Sequence, residues 1–102
     1  MKIYWTESAQ DELQAVFEYY KNKVGLNVAR KIKKTAYERT KLLKKQPHAG
    51  QIEDFLKELG LGHRYLVEGN YKILDRIVGE NIFITDFFDT RQDPRKLIDK
   101  ER

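Results

Sequence analysis

The last third of the chain contains three runs in which apolar and polar side chains alternate, His63–Glu68, Tyr71–Val78 and Asn81–Phe88, separated by Gly69-Asn70 and Gly79-Glu80. Alternation at every second residue marks half-buried strands, and glycine-led dipeptides suit the tight turns of hairpins. A three-stranded antiparallel meander is therefore expected. A sheet with one apolar face cannot stand alone in water, because that face has to be buried against another layer. The rest of the chain has to supply that cover.

The N-terminal half has the pattern to do so. Ile3-Tyr4-Trp5 is a short β-prone run, and Thr6 is placed to cap a helix with Glu7 in its positively polarised first turn. Ala9, Leu13, Val16, Phe17, Tyr20 and Val24 then recur at three- and four-residue spacing, with Asp11, Glu12, Gln14, Glu18 and Lys21 on the other side. Gly25 interrupts this helix. A second apolar period runs through Ala29, Ile32, Ala36, Tyr37, Thr40 and Leu43, and Gln46-Pro47 ends it, since the residue before proline is biased away from helix. Two helices in a hairpin have no enclosed core, so their stripes and the sheet need each other. Residues 47–61 read as a loop with a helical turn at Asp54–Leu59, and Pro94 can open a short helix anchored by Leu97 and Ile98. The expected fold is α+β: an N-terminal strand and a two-helix hairpin packed on an antiparallel sheet, in the order β-α-α-β-β-β, as one domain over residues 1–102.

A chain of 102 residues can bury about two-thirds of its unfolded surface without metals or disulfides. Cysteine is absent, which excludes disulfides, thiol nucleophiles and Cys-based zinc sites and fits a reducing compartment, with the cytoplasm as default. No apolar run approaches the roughly 20 residues of a membrane helix, so no membrane partner is expected. The net charge is +4, and residues 30–45 hold eight basic residues against the single acid Glu38. Such a stripe meets nucleic acid, meets an acidic partner, or is simply a solvated helix face.

Alternation divides the middle strand into Tyr71, Ile73, Asp75 and Ile77 on one face and Lys72, Leu74, Arg76 and Val78 on the other. One face is expected to pack on the helices and the other to meet water or a partner, with Phe87 and Phe88 pointing opposite ways. Arg64, Lys72 and Arg91 lie on strands or just beyond a strand end, where scaffolds present binding groups. Forked guanidiniums and a lysine point charge suit phosphate or an acidic peptide equally. His63, Tyr65 and Glu68 are the acid–base candidates for RNA cleavage through the 2′-hydroxyl, which needs a base, an acid and cationic stabilisation. His63 and Tyr65 alternate with Arg64 and so project to the other face, and a surface position is the common one for histidine. His48 has no second ligand at metal spacing, so no metal is expected, and the glycines form no phosphate loop, so no cofactor is expected either. Tyr4, Trp5, Phe17, Tyr20 and Tyr37 read as packing aromatics.

In order along the chain, Trp5-Thr6, Tyr19-Tyr20, Pro47 with Gly50, Arg64-Tyr65-Leu66, Tyr71-Lys72-Ile73 and Asp89-Thr90-Arg91-Gln92-Asp93-Pro94 resemble the RelE/ParE superfamily of bacterial toxins. The resemblance spans nearly the whole chain. It implies a toxin of a type II toxin–antitoxin module, associated with growth inhibition and plasmid stabilization. Its partners would be a cognate antitoxin and either DNA gyrase (ParE-like) or ribosome-bound mRNA (RelE-like). A homodimer or a toxin–antitoxin heterotetramer would be the assembly. Lys72 and Arg91 match phosphate-binding positions of RelE-like toxins, but the lysine pair of that branch falls on His63 and Tyr65, and its C-terminal tyrosine falls near Leu97. The long hairpin and the Pro47/Gly50 link look more like ParE. The resemblance therefore implies a gyrase inhibitor first, then a ribosome-dependent endoribonuclease using His63, Tyr65 or Glu68, or a non-toxic member that retains antitoxin binding. Asp75 departs from the aromatic residue usual at its position.

Overall fold

A computed structural model describes residues 1–101. The elements are β1 (Lys2–Trp5), α1 (Glu7–Lys23), α2 (Leu26–Thr40), β2 (Gln51–Ile52), β3 (Arg64–Glu68), β4 (Tyr71–Val78), β5 (Asn81–Asp89) and α3 (Lys96–Glu101). Two 3₁₀ turns, Lys41–Lys44 and Asp54–Leu59, lie between α2 and β3. The sheet has five strands in the order β1-β5-β4-β3-β2. The expected meander is present, with Val67 opposite Lys72 and Ile77 opposite Ile82. Gly69 and Gly79 take φ of 58° and 61° at its two turns, a conformation that costs glycine nothing. The sheet is mixed, however, because β1 runs parallel to β5, with Ile3 opposite Ile82. Two residues of the expected 47–61 loop also form a strand, β2, which pairs with β3.

Thr6 caps α1 as anticipated, its Oγ1 accepting a hydrogen bond from the Ala9 N–H at 3.1 Å. The apolar stripes of α1 and α2 bury Ala9, Leu13 and Ala36 against Leu66, Ile73, Ile82, Ile84 and Phe87 of the sheet. Val24 falls on the periodic stripe yet is 63% exposed, because α1 ends at Lys23 and Val24 is already its C-cap. Tyr4 and Tyr37 are likewise exposed aromatics, stacked at 5.6 Å on Phe83 and packed at 4.7 Å on Trp5 respectively.

The second face of the sheet is the main difference from expectation. The Asp54–Leu59 turn and α3 fold beneath it and bury Leu56, Leu74, Phe88 and Leu97 as a second core. Phe87 and Phe88 point to opposite faces as predicted, but both are 2% exposed, so neither is offered to a partner. The fold is three-layered: hairpin, sheet, short helical segments. A bulge between Leu74 and Asp75 leaves Thr85 without a partner across the ladder. There the Thr85 hydroxyl donates to Glu101 Oε1 at 2.7 Å, and Lys100 Nζ lies 3.2 Å from Asp86 Oδ2 and 3.3 Å from Glu12 Oε1. These contacts tie α3 to the sheet and to α1. Burial raises the pKa of Asp86, and the Lys100 ammonium opposes that rise.

Candidate functional site

Arg64, Lys72 and Arg91 do not share one surface. Arg64 opens β3 on the helix side, opposite Asp75, and donates from Nη1 to the Gly50 carbonyl at 3.0 Å. Lys72 points to the other side of the sheet, where Nζ is 2.7 Å from Glu53 Oε2 and 4.2 Å from the centre of the Tyr65 ring. Arg91 follows β5 and grips Asp89 with both arms of its fork, at 3.0 and 2.8 Å. Asp89 pairs with Tyr71, four residues before Asp75 on β4, so Arg91 and Arg64 belong to positions about 13 Å apart along the strand. Glu53 is the group that sequence reading missed. It is 2% exposed, sits 19 residues before Lys72, and lies in a stretch without periodicity.

The acid–base candidates are equally dispersed. His63 precedes β3 and is 3% exposed, contrary to the surface position expected of it, because α3 lies over it and brings Glu101 Oε2 to 3.5 Å from Nε2. Burial alone would raise the Glu101 pKa, but the His63 imidazole and the Thr85 hydroxyl bring it below the ordinary carboxylate value. The Tyr65 hydroxyl donates to Gln51 Oε1 at 3.1 Å. Glu68, at the far end of β3, lies 4.0 Å from Arg39 of α2. His63 and Tyr65 lie toward the α3 side of the sheet, whereas Glu68 faces the hairpin. Among the described residues no group of three or more His, Cys, Asp and Glu side chains is placed to hold a metal ion.

Open surface lies instead where the hairpin meets the ends of β4 and β5. A cleft of about 380 Å³ is lined by Glu12, Val16, Tyr19, Tyr71, Phe87 and Arg91, among others. A second, of about 280 Å³, lies across Tyr20 and shares Tyr71 and Phe87. The two rings that form the shared floor stack at 4.5 Å. Burial, then the neighbouring Tyr20 hydroxyl, pushes the Tyr71 phenol far above its usual pKa, so it stays neutral. Arg91 holds the Asp89 carboxyl below its ordinary range, so the pair at the rim is fully charged. An apolar aromatic floor with a charged rim suits a peptide bearing apolar anchors.

Residues 3–94 match the family model described as ParE toxin of type II toxin-antitoxin system, parDE. The chain belongs to the ParE toxin family. A solved chain from the chromosomal ParDE TA system of P. aeruginosa matches with a TM-score of 0.75 at 24% identity, covering 87% of this chain and 95% of its own. At that identity the likeness is one of fold. No curated protein matches the chain significantly. Membership in the ParE family makes the protein a toxin of a type II toxin–antitoxin system, and it agrees with the long hairpin and the Pro47/Gly50 link rather than with the lysine-rich RelE-like branch. It implies an antitoxin partner. No helix among the described residues is long and apolar enough to cross a membrane.

Proposed function

We propose that this ParE-family toxin acts by binding rather than by catalysis, that DNA gyrase is its target, and that a cognate antitoxin segment neutralises it. The observation carrying this reading is the burial of His63. An imidazole that is 3% exposed and lies beneath Glu101 has no path to a substrate proton, and Tyr65 and Glu68 sit on opposite sides of the sheet. Lys72, matched by the RelE-like phosphate position, already neutralises Glu53. A toxin that stabilises an inactive complex of its target needs none of these groups to be free.

The antitoxin reading draws on the aromatic clefts. Over the buried Tyr71 and Phe87 rings, Tyr19, 57% exposed, offers apolar area, and Arg91, whose side chain stays 63% exposed in its pair with Asp89, offers a cation to an acidic segment. Binding there is expected to weaken with salt without dissociating, since apolar burial is unaffected by screening. Unchanged antitoxin affinity in an Arg91→Ala variant would remove the electrostatic part of this proposal.

The deciding experiment pairs two assays on the purified protein: gyrase supercoiling with detection of cleaved DNA complexes, and primer extension across a reporter mRNA in a bacterial translation extract. Inhibition of supercoiling with intact mRNA is the expected result, and His63→Gln should retain it if circular dichroism shows the fold intact. New mRNA cuts that require ribosomes would establish the endoribonuclease instead. Silence in both assays, with antitoxin binding retained, would make the chain a non-toxic member.

A further inference from the structure

We propose that the outer face of α2 and the 3₁₀ turn after it binds the phosphodiester backbone of a nucleic-acid duplex, independently of which enzyme the toxin inhibits. Arg30, Lys34, Tyr37, Lys41 and Lys44 are spaced by alternating steps of four and three residues, which places them in one line along a helix. The change from α-helix to 3₁₀ helix at Lys41 keeps Lys44 in that line, because residues three apart eclipse in a 3₁₀ turn. Lys45 flanks the row. All six side chains are exposed, and the opposite face, with Ala29, Ala36, Thr40 and Leu43, is buried. The row runs about 22 Å along the axis.

The row is not neutralised within the protein. Among the described residues Arg30, Lys41, Lys44 and Lys45 form no ion pair, and the only one made by Lys34 is a 3.9 Å contact to Glu38 with its own side chain 76% exposed. Apart from Glu38, the acids of the hairpin are segregated on α1, where residues 7–20 include Glu7, Asp11, Glu12 and Glu18 and no basic residue. Such segregation produces a one-sided positive field. The kind of partner follows from shape. The row is convex and straight, and of its cations none lines either aromatic cleft, so an acidic peptide would find no apolar pocket beside the charges. A duplex backbone asks for no pocket, only for cations along a line, and its major groove admits a helix.

The test is fluorescence anisotropy of the full protein with a 20-base-pair duplex of arbitrary sequence between 50 and 200 mM KCl. Five engaged cations predict a slope of log affinity against log salt near −4.5, a loss of about 500-fold across that range. Arg30→Gln/Lys41→Gln/Lys44→Gln/Lys45→Gln is expected to reduce the slope to about −1. The charge-matched Lys2→Gln/Lys57→Gln/Arg95→Gln/Lys96→Gln is expected to leave it unchanged. Thermal melts of both variants show that each is folded, and Lys41→Glu/Lys44→Glu provides a second, smaller perturbation with the same predicted direction. DNA and RNA duplexes run in parallel identify which nucleic acid supplies the backbone. Absence of binding at 50 mM, equal losses in the two four-fold variants, or polyglutamate competing as well as the duplex would each overturn the proposal.

Discussion

Replacing Asp75 with asparagine is expected to stabilise the protein at neutral pH and to flatten the pH dependence of its stability. Asp75 is 1% exposed, and among the described residues neither carboxylate oxygen has a hydrogen-bond partner. Arg64 lies opposite it in the ladder, but its guanidinium donates to the Gly50 carbonyl. Burial therefore dominates and pushes the carboxyl pKa from 3.8 up to about 6, against the weaker pull of Arg64 and then His63. A carboxyl whose pKa is higher folded than unfolded binds more protons in the native state, so stability falls as pH rises from about 4 to about 6 and stays reduced above that. At ~1.4 kcal/mol per pH unit between the two values, the ionised group costs about 3 kcal/mol at pH 7.5. Asparagine removes the charge but keeps a buried amide, so a gain of about 1–2 kcal/mol is expected, or a melting temperature about 10 °C higher. Urea unfolding followed by circular dichroism from pH 4 to 8 measures it. The gap between variant and parent should open across pH 4–6. A variant less stable than the parent at pH 7.5, or a gap constant with pH, would refute the reasoning.

The ion pair beneath the sheet gives the converse case: Lys72→Met leaves Glu53, 2% exposed, without its cation and should cost about 3–5 kcal/mol in urea unfolding, most of it recovered in Lys72→Met/Glu53→Gln. Gly50→Ala would place a Cβ 2.9 Å from the Tyr65 carbonyl oxygen and 3.2 Å from Arg64 Cβ. Backbone on a paired strand has little room to retreat, so a loss of about 1–3 kcal/mol is expected, read as a lower denaturation midpoint. Leu13→Ala, at a fully buried position between α1 and the sheet, should cost about 2–5 kcal/mol by the same measurement.

The parts of this fold that were legible in the sequence are those fixed by neighbours within a few residues. Thr6 with the three- and four-residue spacing after it defines α1, and the glycine dipeptides define both hairpin turns, because caps, helical faces and tight turns are local events. The cover over the second sheet face was not read, although its trace is present. Ile73-Leu74 and Phe87-Phe88 put apolar groups on both faces of adjacent strands, the pattern of a sheet buried twice rather than once.

The candidate site failed to read through for a related reason. Whether a charged side chain is free depends on its partner, and here the partners are distant in sequence: Glu53 for Lys72 across 19 residues, Glu101 for His63 from the far end of the chain. Residue type nominated Lys72 as a phosphate ligand, and tertiary structure turned it into half of a nearly buried ion pair. Arg30, Lys41 and Lys44 escape that fate because helical geometry alone directs them outward, and apart from Glu38 the acids of the hairpin lie on α1. Local periodicity thus predicts the availability of a surface charge better than residue type predicts its role, and Arg30, Lys41 and Lys44 are stronger candidates for contact with a polyanion than Lys72, which the family resemblance singled out.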